Sequence, residues 1–293
     1  MVQRKEKIAV VGAGQMGAGI AQTFLQFGYE VKLYDIDLSA VRRGCQAIEA
    51  ALARLVAKNR LSPSQLVAAS SRLYSTDRLT EVRDCTLVIE AAPERMEIKR
   101  AIFGELSRIC QQDAVLATNT SSLSVTELAS AVDRPGQVVG MHFMNPVPVM
   151  PLVELIRGLR TTNDTLDRAK RAAESIGKTA VEVSDFPGFV SNRVLMPMIN
   201  EAIFAVYEGV ASPEAVDRVM QLGMNHRMGP LALADHIGLD TCLFIMETLH
   251  SGFGDSKYRP CPLLRQYVAA GRLGKKTGEG FYHYSIDRTE RSD

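Results

Sequence analysis

The sequence predicts an α/β fold: a doubly wound parallel sheet with a helical hairpin insert, followed by an all-helical domain. Three observations carry that expectation. Short apolar, β-branched runs alternate with helical stretches through the first two-thirds of the chain, the pattern of a parallel sheet covered on both faces. A glycine-rich turn joins the first of those runs to the first helix. Beyond the turn cluster Asp185-Phe186-Pro187-Gly188 every apolar segment has a helical pattern.

Taken in order, Lys7–Val11 (KIAVV) reads as a buried strand and Met16–Phe27 as an amphipathic helix. Glu30–Tyr34 is the second strand candidate. From Ser39 to about Asn59, Ala40, Val41, Ile48, Leu52, Leu55 and Val56 fall near helical spacing, with Ser39 as the expected N-cap. The next strand, Arg72–Ser75, comes late, so this crossover exceeds the usual minimum of about a dozen residues. A helical hairpin standing off the sheet, broken at Leu61-Ser62-Pro63, accounts for it. Leu87–Ala91, Val115–Thr118 and Val138–His142 are further strand candidates. Phe189–Glu208, Pro213–Leu222, Pro230–Leu249 and Pro262–Ala270 read as helices, each with Pro or a turn residue near its start. The expected domains are residues 1–184 and 185–293.

The 293 residues suffice for one large or two ordinary domains. Lys+Arg number 34 and Asp+Glu 33, a net charge of +1, which offers no basic footprint for nucleic acid. With 46% hydrophobic and 23% charged residues the chain can bury a core, which argues against disorder. No apolar run reaches the roughly 18 residues of a membrane helix, and the N-terminal residues lack the apolar stretch of a signal peptide. Cys45, Cys85, Cys110, Cys242 and Cys261 are odd in number and scattered, so neither a disulfide framework nor a zinc site is expected. A cytoplasmic protein with no metal and no nucleic-acid or membrane partner is the resulting expectation.

The strand KIAVV runs into Gly12-Ala13-Gly14-Gln15-Met16-Gly17, a GxGxxG that opens a helix. In a Rossmann-type sheet the first glycine allows a tight turn and the second lets backbone approach a pyrophosphate. The third lets helix and strand pack closely. Unpaired N–H groups and the positive dipole end at such a helix start, here around Gln15 and Met16, suit phosphates. The second strand ends at Asp35, 18 residues after Gly17. A carboxylate there accepts both ribose hydroxyls and repels the extra phosphate of NADP, so NAD is the expected cofactor. GxGxxG alone is a weak signal, and a glycine-rich turn that binds nothing is the other reading. Strand, helix and acid in the right places make the signal specific.

Of the five histidines, His226, His236, His250 and His283 lie in helical or terminal segments and read as surface or packing residues. His142 ends a strand, and open α/β sheets bind ligands at strand carboxyl ends. Past the turn signal Asn145-Pro146, Glu154 follows 12 residues after His142. That is enough chain to bring a carboxylate back beside the imidazole and fix its tautomer for proton transfer. These residues alone leave the pairing open. Asn119-Thr120-Ser121-Ser122 ends another strand. Ser124-Val125-Thr126-Glu127 has the form of a capping box, which leaves Ser121 and Ser122 without a capping duty. Asn192 begins the helical domain, where a polar side chain is a candidate for lining a cleft.

Together these motifs resemble the 3-hydroxyacyl-CoA dehydrogenase family, and within it the short bacterial 3-hydroxybutyryl-CoA branch. The resemblance rests on GAGQMGAGIA (Gly12–Ala21), ATNTSSLSVTELA (Ala117–Ala129), GMHFMNPVPVMPLVEL (Gly140–Leu155), DFPGFVSNRVLMPMINEA (Asp185–Ala202) and GRLGKKTGEGFYHY (Gly271–Tyr284). It covers nearly the whole chain. By resemblance His142 is the catalytic base and Glu154 its orienting partner. Ser121 hydrogen-bonds the substrate oxygen, and Asn192 helps hold the acyl group. The same resemblance puts Glu94, Lys99, Asn119, Asn145 and Lys276 against the nicotinamide half of NAD. Lys58, at the hairpin tip, would meet the CoA phosphates, assisted by Arg54 and Arg60. It implies a homodimer formed through the helical domain. One position departs: Pro151 stands where many short members carry Lys. Pro there is similar to multifunctional fatty-oxidation enzymes and to gulonate and carnitine dehydrogenases. A dehydrogenase of a CoA-free hydroxy acid is therefore the alternative reading, and a non-catalytic NAD-binding protein a more distant one.

Overall fold

The computed structural model describes residues 6–285, which divide after Phe186 into two compact units. The first unit is built on eight strands: β1 (Lys7–Val11), β2 (Glu30–Tyr34), β3 (Leu73–Thr76), β4 (Leu87–Glu90), β5 (Val115–Thr118), β6 (Val138–Phe143), β7 (Leu152–Arg157) and β8 (Thr179–Ser184). They form one sheet in the order β3-β2-β1-β4-β5-β6-β7-β8. Every neighbouring pair is parallel except β6 and β7. The central strands β4, β5 and β6 are buried along their whole length, as near-continuous apolar runs between two helical layers must be. Chain direction across the sheet reverses between β1 and β4, and the crevice at such a switch point is where these sheets take ligands.

Helix α1 (Gln15–Gln26) packs Ile20, Ala21, Phe24 and Leu25 into the sheet. The crossover after β2 is a helical hairpin of α2 (Leu38–Ala57) and α3 (Pro63–Ser70). Ser62 caps α3 in a capping box with Gln65, and Pro63 occupies its first turn, so the break falls at Leu61-Ser62-Pro63. The N-cap of α2 is Asp37 rather than Ser39: its carboxylate accepts the Ser39 N–H at 2.8 Å. An N-cap residue serves amides two or three positions on, and Ser39 already lies inside the first turn. The remaining helices of this unit are α4 (Met96–Ile109), α5 (Val125–Ala129) and α6 (Asn163–Ser175). Ser124 caps α5 by accepting the Glu127 N–H at 3.1 Å. Asp185 also serves this helix start, accepting from Ser124 Oγ and from the Val125 and Thr126 amides.

Two strands, β7 and β8, were not among the expected ones. Glu154 interrupts the apolar run of β7, and on β8 Val183 is the one buried residue. Neither strand carries the continuous apolar signature of the central strands. What creates them is pairing: β7 returns antiparallel along β6 and β8 extends the edge.

In the second unit α7 (Ser191–Tyr207), α8 (Pro213–Met224), α9 (Pro230–Ile237), α10 (Leu239–Phe253) and α11 (Pro262–Ala269) enclose Met196, Ile199, Ile203, Leu231, Leu239, Met246 and Leu249. The single helix expected over Pro230–Leu249 is two, because Gly238 turns at φ +103°, a conformation only glycine adopts cheaply. Buried Asp217 accepts the Leu231 and Ala232 amides at the start of α9. Asp235, also buried, accepts those of Phe281 and Tyr282. Among the described residues no helix is long and apolar enough to cross a membrane.

Candidate active site

The turn after β1 has the shape a dinucleotide needs. Gly12 sits at φ +111°, and a Cβ on it would fall 2.5 Å from the carbonyl oxygen of Ala91, just past β4. A Cβ on Gly17 would fall 1.8 Å from the carbonyl oxygen of Gly12, so helix α1 can approach the turn only with glycine there. Gly14 differs from both: beyond its own chain neighbours, no atom lies within 4 Å of its Cβ position. No side chain caps the start of α1, which leaves its first amides to a ligand. Gln15 is exposed, with Nε2 3.5 Å from Asn145 Oδ1, and Met16 packs against the core. Asp35 follows β2 directly. Its Oδ2 accepts the Ala13 N–H at 2.8 Å and its Oδ1 that of Asp37 at 3.1 Å. Those bonds aim the carboxylate along the glycine turn and leave a lone pair on each oxygen. The cradle therefore fits a dinucleotide.

Further along the same sheet edge, His142 and Glu154 are register partners on β6 and β7. Paired residues share a face of the sheet, and His142 Nδ1 stands 2.8 Å from Glu154 Oε2. Both residues are buried, at 7% and 2% exposure. A carboxylate can only accept, so Nδ1 carries a proton, and in the neutral ring Nε2 is then the acceptor nitrogen. The pair suits general base chemistry on a hydroxyl.

The loops after β4 and β5 meet in a polar network. Glu94 Oε1 accepts from Thr120 Oγ1 at 2.5 Å and from the Ser121 and Ser122 amides at 2.9 and 3.1 Å. It also accepts from the Ser122 and Ser121 hydroxyls at 3.1 and 3.4 Å. Burial pushes the Glu94 carboxyl up. Lys99, Thr120, Ser121 and Ser122 outweigh that and hold it below the ordinary carboxylate range. Lys99, 1% exposed, is directed at the protein itself. Its ammonium donates to Glu90 at 2.7 Å and lies 3.4 Å from Glu94 Oε2. Asn119 spends its amide oxygen on the Phe143 N–H at 2.9 Å, tying the end of β5 to that of β6.

The first unit thus gathers Gly12, Gly14, Gly17, Asp35, Glu94, Lys99, Asn119, Ser121, His142, Asn145 and Glu154 along the carboxyl edge of its sheet. Asn192 and Lys276 belong to the second unit. Asn192 is buried in the first turn of α7, and Lys276 is ion-paired with Asp240 at 2.6 Å. Arg54, Lys58 and Arg60 are exposed around the C-terminal end of α2. Glu90, fully buried at the end of β4 and bonded to Lys99, is a member of this polar network that sequence reasoning missed. A carboxylate inside the apolar run Leu87–Ala91 was the signal that could have found it.

Comparison with known proteins identifies the family. The family model described as 3-hydroxyacyl-CoA dehydrogenase, NAD binding domain, matches residues 7–186, and that of the C-terminal domain matches residues 188–284. Over 279 residues the chain is 58% identical to the probable 3-hydroxybutyryl-CoA dehydrogenase of Bacillus subtilis (strain 168), an overlap of 95% of this chain and 97% of that protein. It is 50% identical to the 3-hydroxybutyryl-CoA dehydrogenase of Bradyrhizobium diazoefficiens, over 95% of each. The solved structure of (S)-3-hydroxybutyryl-CoA dehydrogenase from Ralstonia eutropha superposes with a TM-score of 0.93 at 46% identity, covering 96% of this chain and 99% of that one. The chain belongs to the 3-hydroxyacyl-CoA dehydrogenase family of NAD-dependent oxidoreductases.

Proposed function

We propose that this enzyme reversibly oxidises the 3-hydroxyl of a short L-3-hydroxyacyl-CoA, 3-hydroxybutyryl-CoA above all, to the 3-oxo thioester. The observation that carries the proposal is the buried His142–Glu154 pair, on the same sheet edge as the glycine cradle. Bound NAD supplies the two-electron acceptor for the C3–H bond. The remaining work is done by side chains of this chain. His142 Nε2 takes the hydroxyl proton as the carbonyl forms and returns it in the reverse direction. Glu154 holds the imidazole in the tautomer that has Nε2 unprotonated, and it offsets the charge the ring gains. Ser121 hydrogen-bonds the substrate oxygen, and Asn192 holds the acyl group. Gly12, Gly14, Gly17, Gln15, Met16 and Asp35 hold the adenosine and pyrophosphate half of the cofactor. Glu94, Asn119, Asn145 and Lys276 serve the nicotinamide half, with Lys99 behind Glu94. Lys58, Arg54 and Arg60 present positive charge to the CoA phosphates.

In this reading residues 1–184 bind the cofactor and residues 185–293 serve substrate binding and dimerisation. A homodimer is supported by Val194, Val219, Leu222 and Met224, apolar side chains exposed on α7 and α8. Five free thiols suit a reducing compartment, and we assign the cytoplasm.

The test is the initial rate of NADH oxidation with acetoacetyl-CoA, with NADPH run in parallel. Fast turnover with NADH and slow turnover with NADPH is the expected result. Absence of turnover with both would overturn the assignment and direct attention to CoA-free hydroxy acids, with Pro151 the first residue to exchange.

A further inference from the structure

Lys99 stands between two carboxylates of unequal surroundings. Glu90, at the end of β4, is fully buried. Its Oε1 accepts from Lys99 Nζ at 2.7 Å and from the Ala92 N–H at 2.6 Å. Its Oε2 accepts from Thr118 Oγ1 at 2.7 Å and from Lys99 Nζ at 3.0 Å. On the far side of the ammonium lies Glu94, partly exposed, and its other oxygen collects Thr120, Ser121 and Ser122. Glu90 meets the root of the loop directly, its backbone oxygen accepting the Asn119 N–H at 2.7 Å and its Oε2 the Thr118 hydroxyl, and the link from its carboxylate to Ser121 and Ser122 runs through Lys99 and Glu94.

A buried, fully hydrogen-bonded carboxylate is costly to assemble. Neither of its strands needs it for pairing, since the β4–β5 ladder is made by backbone. What the arrangement secures is direction. Glu90 and the Ala92 carbonyl, the latter at 3.3 Å, accept the N–H bonds of the ammonium and fix its place, which sets its charge 3.4 Å from Glu94 Oε2. A Glu94 so held keeps the backbone amides of Ser121 and Ser122 in one geometry.

We propose that Glu90 is a positioning residue of the active site, acting through Lys99 and Glu94 to hold the Thr120–Ser122 loop and so present the Ser121 hydroxyl in one orientation. The relay is a property of the protein alone. The catalytic consequence rests on the role given above to Ser121.

The first measurement is amide hydrogen exchange on the full-length enzyme without ligands, wild type against Glu90→Gln. The Ser121 and Ser122 amides should exchange roughly five- to tenfold faster in the variant, the equivalent of weakening one ordinary hydrogen bond. Amides elsewhere in the sheet should keep their rates. Thr118→Val removes one bond to Glu90 and no charge, so it should give a smaller change at the same two amides, and it decides the matter if Glu90→Gln fails to fold. Unchanged exchange at Ser121 and Ser122 would overturn the relay whatever the enzyme's substrate proves to be. The second measurement is kinetic. Glu90→Gln should lower kcat by up to about 10²-fold at unchanged KM for acetoacetyl-CoA, the scale of a misplaced catalytic group. In a Ser121→Ala background the same substitution should cost little more. Additive losses in that double-mutant cycle would show that Glu90 does not act through Ser121, and would overturn the proposal.

Discussion

His142 and Glu154 face each other across the β6–β7 ladder as register partners, and the 2.8 Å contact between their side chains follows from that pairing. The orientation of the imidazole is thus set by the sheet. It leads to the first expectation. His142→Ala should lose roughly 10²–10⁴-fold in kcat, the scale of a positioned acid–base group, with NADH affinity unchanged. Glu154→Gln keeps a hydrogen-bond acceptor beside Nδ1 and loses the charge, so kcat should fall by less than in His142→Ala. Steady-state rates and NADH fluorescence titration check both.

Gly14 and Gly17 should separate ligand binding from folding. Gly17→Ala puts a methyl group 1.8 Å from a backbone oxygen. Overpacking of that kind typically costs about 1–3 kcal/mol, and rigid backbone leaves little room for relief. Its melting temperature should drop clearly. Gly14→Ala meets nothing within 4 Å and should melt close to wild type, while its NADH dissociation constant rises because the methyl occupies the open side of the cradle.

Lys58 caps the C-terminal end of α2 and is exposed beside Arg54 and Arg60. An exposed charge pair is worth about 0.2–1 kcal/mol, so Lys58→Ala should raise KM for acetoacetyl-CoA by about two- to fivefold at unchanged kcat. The effect should shrink as ionic strength rises. A CoA-free substrate should be unaffected by the substitution.

Asp84 links β1 and β2, accepting from Lys7 Nζ at 2.7 Å and Lys32 Nζ at 2.5 Å. Partial burial pushes its carboxyl up, but the two ammonium groups outweigh this and hold it at about 2, from an ordinary 3.8. A carboxyl depressed in the folded state contributes stability above its unfolded pKa and loses it as pH falls through the folded one. With the side chain 37% exposed, solvent screening leaves about 1 kcal/mol of that contribution. Asp84→Asn should therefore be less stable than wild type by about that amount at pH 7. The gap should narrow as pH falls from about 4 toward 2, as urea denaturation at several pH values will measure.

The parts of this protein that were legible in the sequence are those governed by neighbours along the chain. A strand, a GxGxxG turn and a helix dictate the cradle within 20 residues, because φ, chain direction and the helix dipole are local properties. Asp35 was legible for the same reason, as the end of the next strand. The hairpin break at Ser62-Pro63 was written in capping chemistry. Sequence similarity carried the family, since motifs spread over the chain keep their order and composition.

What tertiary structure decided is whatever depends on which strands become neighbours. The twelve residues from His142 to Glu154 allowed a return of the chain. The antiparallel register of β6 and β7 selected the contact. Asp37 displaced Ser39 as a cap by a shift of where the helix begins. Gly238 divided one apolar helical pattern into two helices. Glu90, Lys99 and Glu94 lie within ten residues of one another, yet their polar network appeared only when the end of β5 and its loop brought Thr118, Thr120, Ser121 and Ser122 to them. Local sequence determines torsion angles and periodicity, whereas hydrogen bonds between distant segments exist only once the sheet has set its order.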